Sequence, residues 1–448
     1  MKFERYQAYK ESEVEWLCEV PKHWLPVRIK DVIRKIDQGW SPNAENRTVE
    51  KREWGVLKLS AINNGKYYEI NHKALPDTTG IKNQYIVRTG DLLITRSNTP
   101  ELVGDCGLVL VEPIFNLMYS DLIYCLKIKS NKILDRYLNY FLCTTSFRWL
   151  KTVSARGLNT SMVKISQGII CRWNIFSPPL PEQKAIAQYL DTKTAQIDHK
   201  IDLLTQKAQR YEELKRSLIN ETVTRGLDKS VPMKDSGVEW LGQIPEHWEI
   251  KRLKDLSTLI IDGTHFTPDY TSHGIRFLSV NDITRKPFDL NQSKFISPDA
   301  HKGLIKRCRP KKGDILLSKN GTIGVPLLID FDEEVSIYVS LCLIKITPQV
   351  NARYSYYSFL ASFMFEQYNL HSKTNSVTNL HLDKLRNFFQ LCPPLSEQKA
   401  IATYLDTKTA QIDQIIQTIN SKIEKLKELR KTLINDVVTG KIKVASEA

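Results

Sequence analysis

The sequence lacks the short motifs that mark most nucleotide-dependent and metal-dependent enzymes. It contains no G-x-x-x-x-G-K-[ST] phosphate-binding loop and no G-x-G-x-x-G after a strand pattern. The Asn/Asp-Pro-Pro-aromatic tetrapeptide of amino-methyltransferases is missing, because the Pro-Pro pairs at 178–179 and 393–394 have other flanks. The histidines do not cluster with cysteines or carboxylates at metal-ligand spacing, and no Ser/His/Asp motif is present. We therefore expect no catalytic residue, no bound cofactor and no metal site in this chain.

Membrane-directing and disulfide patterns are also missing. No run of about 18 apolar residues occurs, so no membrane span is expected. The first residues are charged and carry Trp and Pro, unlike a signal peptide. The 8 cysteines are scattered, mostly in apolar runs, and none forms a C-x-x-C pair. Free buried thiols in a reducing cytoplasm fit this pattern better than disulfides or zinc.

The sequence has fewer acidic residues than basic residues. Lys and Arg number 64 against 50 Asp and Glu, which gives a formal net charge of +14. A balance this basic indicates an acidic partner, with nucleic acid the first candidate, although a basic surface without function would look the same.

The chain does contain a long internal repeat. Residues 178–198 read PPLPEQKAIAQYLDTKTAQID and residues 393–413 read PPLSEQKAIATYLDTKTAQID, so 2 of 21 positions differ. A second pair of matching segments, 12–31 and 236–255, shares the pattern S-x-V-E-W-L…P-x-H-W…R-x-K-D. The sequence is therefore a tandem duplication whose unit of about 220 residues is far longer than a solenoid repeat. Between the matching segments the two copies diverge, as expected for two recognition inserts in one constant frame.

Each copy has the same predicted order of elements. Short β-branched runs bounded by Gly, Asn, Asp and Pro predict strands at Trp54–Ile62, Tyr85–Thr95, Leu108–Val111, Tyr119–Ile128, Ile275–Val280, Asp314–Ser318, Ile323–Ile329 and Val335–Ile346. Helical spacing predicts helices at Lys132–Lys151 and Ala352–Tyr368. The fold class is therefore α+β.

A long helix closes each copy, from Glu182 to about Thr224 and from Glu397 to about Thr439. Pro181 suits a first helical position, and Ser396 suits an N-cap. A heptad seam runs along both helices, at Leu190, Ile197, Leu204, Tyr211, Leu218, Leu405, Ile412, Ile419, Leu426 and Leu433. Two such seams in one chain predict an antiparallel coiled coil related by pseudo-twofold symmetry, with dimerisation between molecules as the rival.

This organisation divides the chain into four parts. Residues 1–177 and 227–392 are the two variable recognition domains, 178–226 is the first spacer helix, and 393–448 holds the second spacer helix with a C-terminal tail.

Polar loops follow the central predicted strand and precede the long helix in both copies. Arg, Lys and Asn side chains contact base edges and phosphates, although Gly, Asn and Ser are turn residues in any case. The candidate DNA contacts are Arg96, Ser97, Asn98, Arg156, Asn159, Ser161, Lys164, Lys319, Asn320, Lys373, Asn375 and Ser376. Arg96 and Lys319, which end matching strands, form the lead pair.

The repeated PPLxEQKAIAxYLDTKTAQID, together with GVEWLGQIPEHWEIKRLKDL and GDILLSKNG, resembles the specificity subunit of type I restriction–modification systems. The resemblance implies two target recognition domains that bind a bipartite site on double-stranded DNA. It implies that two methyltransferase subunits bind the chain and that restriction/translocase subunits join through them. S-adenosylmethionine, ATP and Mg would then belong to those partners, and adenine methylation would be their chemistry.

Other interpretations remain at the sequence level. The runner-up is the analogous recognition subunit of another bipartite-site modification enzyme that has a different nuclease partner. A purely structural coiled-coil scaffold would show no sequence-dependent DNA binding, and a stand-alone methyltransferase would bind S-adenosylmethionine itself.

If the two helices set the separation of the recognition domains, their length should set the unread gap in the DNA site. We expect the half-sites to lie about 10 bp apart, centre to centre, on one face of the duplex. Seven residues inserted after Leu204 keep the heptad phase and lengthen that helix by roughly 10 Å. Since DNA rises about 3.4 Å per base pair, the gap should grow by roughly one to three base pairs.

Mapping the methylated sites measures that gap. An insertion of five residues breaks the heptad phase and should destabilise the protein instead. A folded, active seven-residue variant with an unchanged gap would contradict the prediction.

Overall fold

The computed structural model describes residues 4–155, 162–371, 373–375 and 377–444, with backbone only at 373–375 and 377–378. The chain forms two compact units. Unit one comprises residues up to Leu204 and those from Ser421 onward, and unit two comprises Thr205–Asn420. Because the divisions fall inside the two long helices, each helix contributes to both units.

Unit one contains strands, short helices, the first part of one long helix and the last part of the other. Its strands are β1 (Tyr9–Val14), β2 (Leu17–Pro21), β3 (Leu25–Arg28), β4 (Ile33–Gln38), β5 (Trp54–Leu57), β6 (Ile62–Asn63), β7 (Gly65–Tyr67), β8 (His72–Ala74), β9 (Leu92–Thr95), β10 (Ser97–Asn98), β11 (Cys106–Leu108), β12 (Asn116–Met118), β13 (Ile123–Ile128), β14 (Val163–Lys164) and β15 (Asn174–Ser177). Its helices are α1 (Ile29–Val32), α2 (Asp135–Leu142), α3 (Thr145–Ser154), α4 (Gln167–Arg172) and the start of α5 (Leu180–Arg225).

Unit two repeats that order. Its strands are β16 (Met233–Asp235), β17 (Gln243–Pro245), β18 (Glu249–Arg252), β19 (Ser257–Asp262), β20 (Tyr270–Thr271), β21 (Ile275–Leu278), β22 (Lys294–Ile296), β23 (Ile315–Ser318), β24 (Pro326–Leu328), β25 (Val335–Ile337), β26 (Leu341–Ile346), β27 (Lys373–Asn375), β28 (Val377–Asn379) and β29 (Phe389–Cys392). Its helices are α6 (Val280–Thr284), α7 (Pro298–Leu304), α8 (Ala352–Phe359), α9 (Ser362–His371), α10 (Leu382–Leu385) and the start of α11 (Leu395–Val438).

Each unit has its own main sheet, in which four strands pair antiparallel. Its order is β4-β13-β9-β11 in unit one, extended by β7 and β6, and β19-β26-β23-β24 in unit two. The central strands β9 and β23 are buried along their whole length, which explains their near-continuous apolar sequences. A second small sheet in each unit contains a parallel pair, β5 with β12 and β21 with β25.

The predicted α+β class is confirmed, but several predicted elements are shorter or divided. The expected helix Lys132–Lys151 is two helices, because Thr144 accepts a hydrogen bond from the Phe147 backbone N–H and caps a new helix there. The expected strand Tyr85–Thr95 begins only at Leu92, since a turn with Gly90 at φ +84° precedes it.

The long helices were predicted to within two residues at either end. The helix α5 has 46 residues and α11 has 44. Both begin one residue before the variable position, so Ser396 lies inside the first turn and is not the N-cap. Pro181 is tolerated there because the first backbone N–H groups of a helix have no intrahelical acceptor.

The two long helices run antiparallel within each unit. In unit one Ile186 and Leu190 share a core cluster with Val437 and Val438, while Asp198 pairs with Arg430, so residue numbers rise along one helix as they fall along the other. Unit two repeats this order with Ile219 and Val223 against Ile401 and Leu405. Every predicted seam residue is buried or half-buried, whereas leucines outside the seam, such as Leu203 and Leu429, are exposed.

A buried tryptophan joins the leading segment of each copy to the start of its long helix. In unit one the Trp24 indole N–H donates to Glu182 at 3.1 Å, and His23 Nε2 lies 2.8 Å from the same carboxylate. In unit two Trp248 donates to Glu397 at 3.1 Å, and His247 Nε2 lies 2.9 Å from it. We call these two groups the Trp–Glu junctions. They explain why Pro-x-His-Trp and the helix-start Glu recur together.

The end of the other long helix packs on each Trp–Glu junction. A Cβ on Gly440 would lie 2.3 Å from Pro21 and 3.3 Å from the Trp24 ring, and a Cβ on Gly226 would lie 3.2 Å from the Trp248 ring. Both glycines have positive φ, +77° and +74°, which terminates a helix readily. The helices therefore end with equivalent glycines, although the residues before them differ.

The other repeated polar residues also have matching partners. Gln183 and Gln398 accept hydrogen bonds from the backbone N–H groups that lead into α2 and α8, at 2.7 and 2.8 Å. Tyr140 donates to Asp191 at 2.8 Å, and Tyr357 donates to Asp406 at 2.7 Å. Asp198 pairs with Arg430 at 3.1 Å, and Asp413 pairs with Lys215 at 2.6 Å. The repeated residues therefore make equivalent contacts in the two units.

Two further observations concern the whole described chain. Among the residues that the structure describes, no helix combines the length and apolarity that a bilayer crossing requires. The cysteines are free thiols, and all but Cys18 are buried or half-buried.

The Trp–Glu junction should contribute measurably to stability. In Glu397→Ala the buried Trp248 N–H loses its acceptor, and the free energy of unfolding should fall by about 1–3 kcal/mol. Urea unfolding monitored by tryptophan fluorescence would measure the change. The control Glu424→Ala removes an exposed pair with Lys427 at 2.8 Å and should cost about 0.5 kcal/mol or less. Equal losses in both variants would contradict a special role for the junction.

Candidate nucleic-acid interface

The two polar loops predicted from the sequence lie side by side in unit one. The short strand β10, which directly follows the central strand β9, pairs antiparallel with β14, with Ser97 opposite Lys164 and Asn98 opposite Val163. The Ile165 backbone N–H also donates to the Arg96 carbonyl at 2.9 Å. The loop after the central strand and the loop before the long helix therefore form one surface.

Unit two brings together the equivalent loops. The Leu380 N–H donates to the Lys319 carbonyl at 2.8 Å, and Asn320 forms an isolated antiparallel bridge with Asn379. The hairpin β27–β28 precedes this bridge. The side-chain oxygens of Asn320 and Asn379 are buried and have no hydrogen-bond partner among the residues that the structure describes. Two sequence-distant polar segments again meet at the end of a buried central strand.

Arg96 is half-buried beside this surface. Its guanidinium donates to the Asp121 carbonyl at 3.4 Å and lies 5.9 Å from the centre of the Tyr124 ring. On the neighbouring sheet strand the uncharged residue Gln38 lies opposite Tyr124. Within the described residues no carboxylate forms an ion pair with the Arg96 guanidinium, which lies near the paired loops.

Lys319 occupies the matching position of unit two in different surroundings. It is only 6% exposed, and its Nζ lies 3.6 Å from Asp262 Oδ2. The lead pair is thus unequal: Arg96 reaches the surface, whereas Lys319 faces a buried carboxylate. Direct DNA contact by Lys319 stays a prediction, and it would require the ammonium to leave Asp262.

Asp262 is the centre of a charged cluster. Burial opposes ionisation, but the Arg307 hydrogen bond and the charges of Lys319, His265 and Arg307 hold its pKa below the usual value. The carboxylate is therefore ionised at neutral pH. His265 Nε2 lies 3.1 Å from Oδ2, and Arg307 Nη2 lies 2.6 Å from Oδ1.

The remaining predicted contacts have varied placements. Ser97 is fully buried and donates to the Val163 carbonyl at 3.2 Å, which is a structural bond. Asn98 is half-buried, and its side-chain oxygen accepts from the Thr99 N–H at 2.9 Å, while Lys164 is exposed. The predicted contacts Arg156, Asn159, Ser161 and Ser376 lie outside the described residues, as do the side chains of Lys373 and Asn375.

Sequence reasoning missed Arg307. It follows α7, away from both predicted loops in the sequence, and its contacts with Asp262 bring it into the same cluster as Lys319. The available signal was the basic run from Lys306 to Lys312, which holds five Lys and Arg residues around Cys308 and Pro310.

Both units match one known family. The sequence profile of the type I restriction modification DNA specificity domain matches residues 21–210 and 245–425. Each match covers one recognition domain and much of the long helix that follows it.

Similar proteins include two specificity subunits. The type I restriction enzyme MjaVIII specificity subunit of Methanocaldococcus jannaschii is 24% identical over 98% of this chain and 98% of its own. The EcoEI specificity subunit of Escherichia coli is 30% identical over 40% of this chain and 30% of its own.

Solved structures share the fold. A chain from a study of the assembly and conformational transition of a type I R-M system matches with a TM-score of 0.68 and 18% identity. The match covers 94% of this chain and 98% of that one. The HsdS subunit from Thermoanaerobacter tengcongensis matches with a TM-score of 0.50 and 17% identity over 96% of this chain and 100% of its own.

The different surroundings of Arg96 and Lys319 predict different outcomes of substitution. Arg96→Ala should weaken DNA binding by about 1–3 kcal/mol and leave the unfolding transition unchanged. Lys319→Ala removes a cation from buried Asp262 and should lower the free energy of unfolding by about 1–3 kcal/mol. DNA-binding titrations at several salt concentrations, together with urea unfolding, separate the two effects.

A base contact by Arg96 would relax the preference at one position, whereas a phosphate contact would weaken binding to all sequences and reduce the salt slope. Unchanged affinity and salt dependence in Arg96→Ala would show that this loop does not contact DNA.

Proposed function

The chain belongs to the type I restriction–modification DNA specificity family, whose members recognise DNA sequence, and we propose that it selects a bipartite target for partner enzymes without catalysing a reaction. Each unit would recognise one half of the target. The observation that carries the proposal is the surface made by the paired polar loops, which occurs once in each unit and joins the same two parts of each repeat.

Differences between the two surfaces support separate recognition of two sequences. Unit one has Arg96 at the end of its central strand and neutral Gln38 opposite Tyr124, whereas unit two has Lys319, His265 and Arg307 around Asp262. Identical surfaces would favour two copies of one half-site. Surfaces that carry different charged residues favour an asymmetric target.

The proposed partners supply the chemistry. Two methyltransferase subunits would bind this chain, and restriction/translocase subunits would join through them. S-adenosylmethionine, ATP and Mg would be bound by these partners. The net charge of +14 suits a chain that holds DNA for other subunits.

Reconstitution tests this division of labour. The purified chain, its cognate methyltransferase subunit and their mixture are each incubated with DNA and S-adenosylmethionine labelled in the methyl group. Only the mixture should label DNA, and sequencing should place the label in one bipartite motif. Labelling by the chain alone would overturn the non-catalytic role, and labelling without a motif would overturn the specificity role.

A further inference from the structure

We propose that Arg307 is a base-contacting, specificity-determining residue of unit two, and that its guanidinium recognises a guanine in the half-site bound by that unit. The proposal rests on the function proposed above and assigns one base to one side chain.

The protein holds Arg307 by one end of its guanidinium. Nη1 donates to the Asp262 carbonyl at 3.2 Å and to the Gly263 carbonyl at 3.0 Å, and Nη2 donates to Asp262 Oδ1 at 2.6 Å. A guanidinium has five N–H donors, so these bonds leave the Nε–H and one Nη2–H. Those two donors lie along one edge of the planar group and form a two-pronged fork.

No residue in the described part of the chain accepts a hydrogen bond from that edge. The Arg307 side chain is 51% exposed, although the Asp262 side chain that holds it is only 9% exposed. The buried Asp262 carboxylate thus holds the solvent-exposed side chain of Arg307 in place. Fixing the side chain in advance reduces the entropy lost when it binds.

Arg307 lies in the same cluster as the loop-end residue Lys319. Asp262 Oδ1 accepts from Arg307, and its Oδ2 lies 3.6 Å from the Lys319 Nζ. Lys319 precedes Asn320, which bridges to Asn379 in the paired loops. The fork is therefore next to the surface that the sequence predicted to contact DNA.

The chemistry favours a base over a phosphate. The Asp262 carboxylate, 2.6 Å from Nη2 and 3.6 Å from the Lys319 Nζ, offsets part of the positive charge that attracts phosphate. Orientation, in contrast, is what recognition of a base edge requires. Two parallel donors match the O6 and N7 acceptors of guanine in the major groove, which no other base pair presents.

Unit one lacks the charge for this arrangement at the matching strand position. Gln38 faces Tyr124 there, as Asp262 faces Cys342 in unit two. A neutral amide at this position does not hold a guanidinium by a charged pair. The proposed contact therefore belongs to one half-site only.

The test uses the complete complex with the methyltransferase subunit. Arg307→Ala and Arg307→Lys are each assembled, and methylated sites are mapped by sequencing across a genome. Both variants should lose discrimination against the wrong base by about 5- to 150-fold at one G·C position of one half-site. The other half-site should be unchanged.

The lysine variant separates the two kinds of contact. It keeps the charge but not the planar fork, so a phosphate contact would survive in Arg307→Lys and its motif would be unaltered. That outcome would overturn the proposal. An unaltered motif in Arg307→Ala at normal methylation levels would overturn it as well.

A neighbouring arginine provides the matched control. Arg309 pairs at 3.3 Å with Glu334, and both side chains are more than half exposed. Arg309→Ala should leave the motif intact. Thermal unfolding of each variant checks folding, and if Arg307→Ala is unstable the lysine variant carries the test.

The same experiment distinguishes failure of the proposed specificity role from failure of the Arg307 assignment. If the wild-type complex methylates without any motif, the specificity role itself is wrong. If the wild-type motif is bipartite and neither Arg307 variant changes it, only the assignment of Arg307 is wrong.

Discussion

The architecture depends on a buried indole N–H that bonds to a carboxylate in the first turn of a long helix. Trp24 and Trp248 are fully buried, so each N–H needs an acceptor inside the protein. Glu182 and Glu397 provide it, and their negative charge also suits the positive end of a helix. This single bond fixes where the leading segment meets the helix, and the terminal glycine of the opposite helix then packs on the same ring.

Because of that packing, each unit contains the end of the long helix that begins in the other unit. Gly440, at the end of α11, covers Trp24 in unit one, and Gly226, at the end of α5, covers Trp248 in unit two. Each copy of the repeat supplies the leading segment, the insert and the helix start of its own unit. It also supplies the helix end of the other. The near-identity of residues 178–198 and 393–413 follows, because both must make the same contacts with the domain beside them and with the passing helix.

The sequence predicted best what is periodic or repeated. The long helices were located closely because their heptads extend over many turns and each copy supports the other. The polar loops were also identified, since they follow matching strands. Local pattern could not show that Thr144 would divide one predicted helix, or that Lys319 would be buried against Asp262. That ion pair joins residues that are far apart in sequence. The residue of unit one that matches Asp262 is the neutral Gln38, so comparison of the two copies could not predict the ion pair.

Arg307 is another residue whose surroundings could not be predicted from local sequence. Nothing in its neighbours distinguishes it from the other basic residues between Lys306 and Lys312. Its special character comes from two backbone carbonyls and one carboxylate contributed by the end of β19. Such a site arises from tertiary structure, and a variable insert can gain or lose it through one substitution without disturbing the Trp–Glu junction.

The bridge between Glu4 and Lys443 gives the chain a nearly circular order. These residues lie beside each other in unit one, just as the segment after Gly226 leads from the end of α5 into β16 in unit two. Suppose that the chain were joined between Lys443 and Glu4 and cut between residues 227 and 232. The new link would then connect the end of α11 to the leading segment of unit one, and the new chain ends would lie between α5 and β16. Every sheet, both helices and both Trp–Glu junctions would be retained. In topological terms, the neighbouring residues Lys443 and Glu4 and the segment between Gly226 and Met233 occupy equivalent positions, each between the end of a long helix and the start of a leading segment.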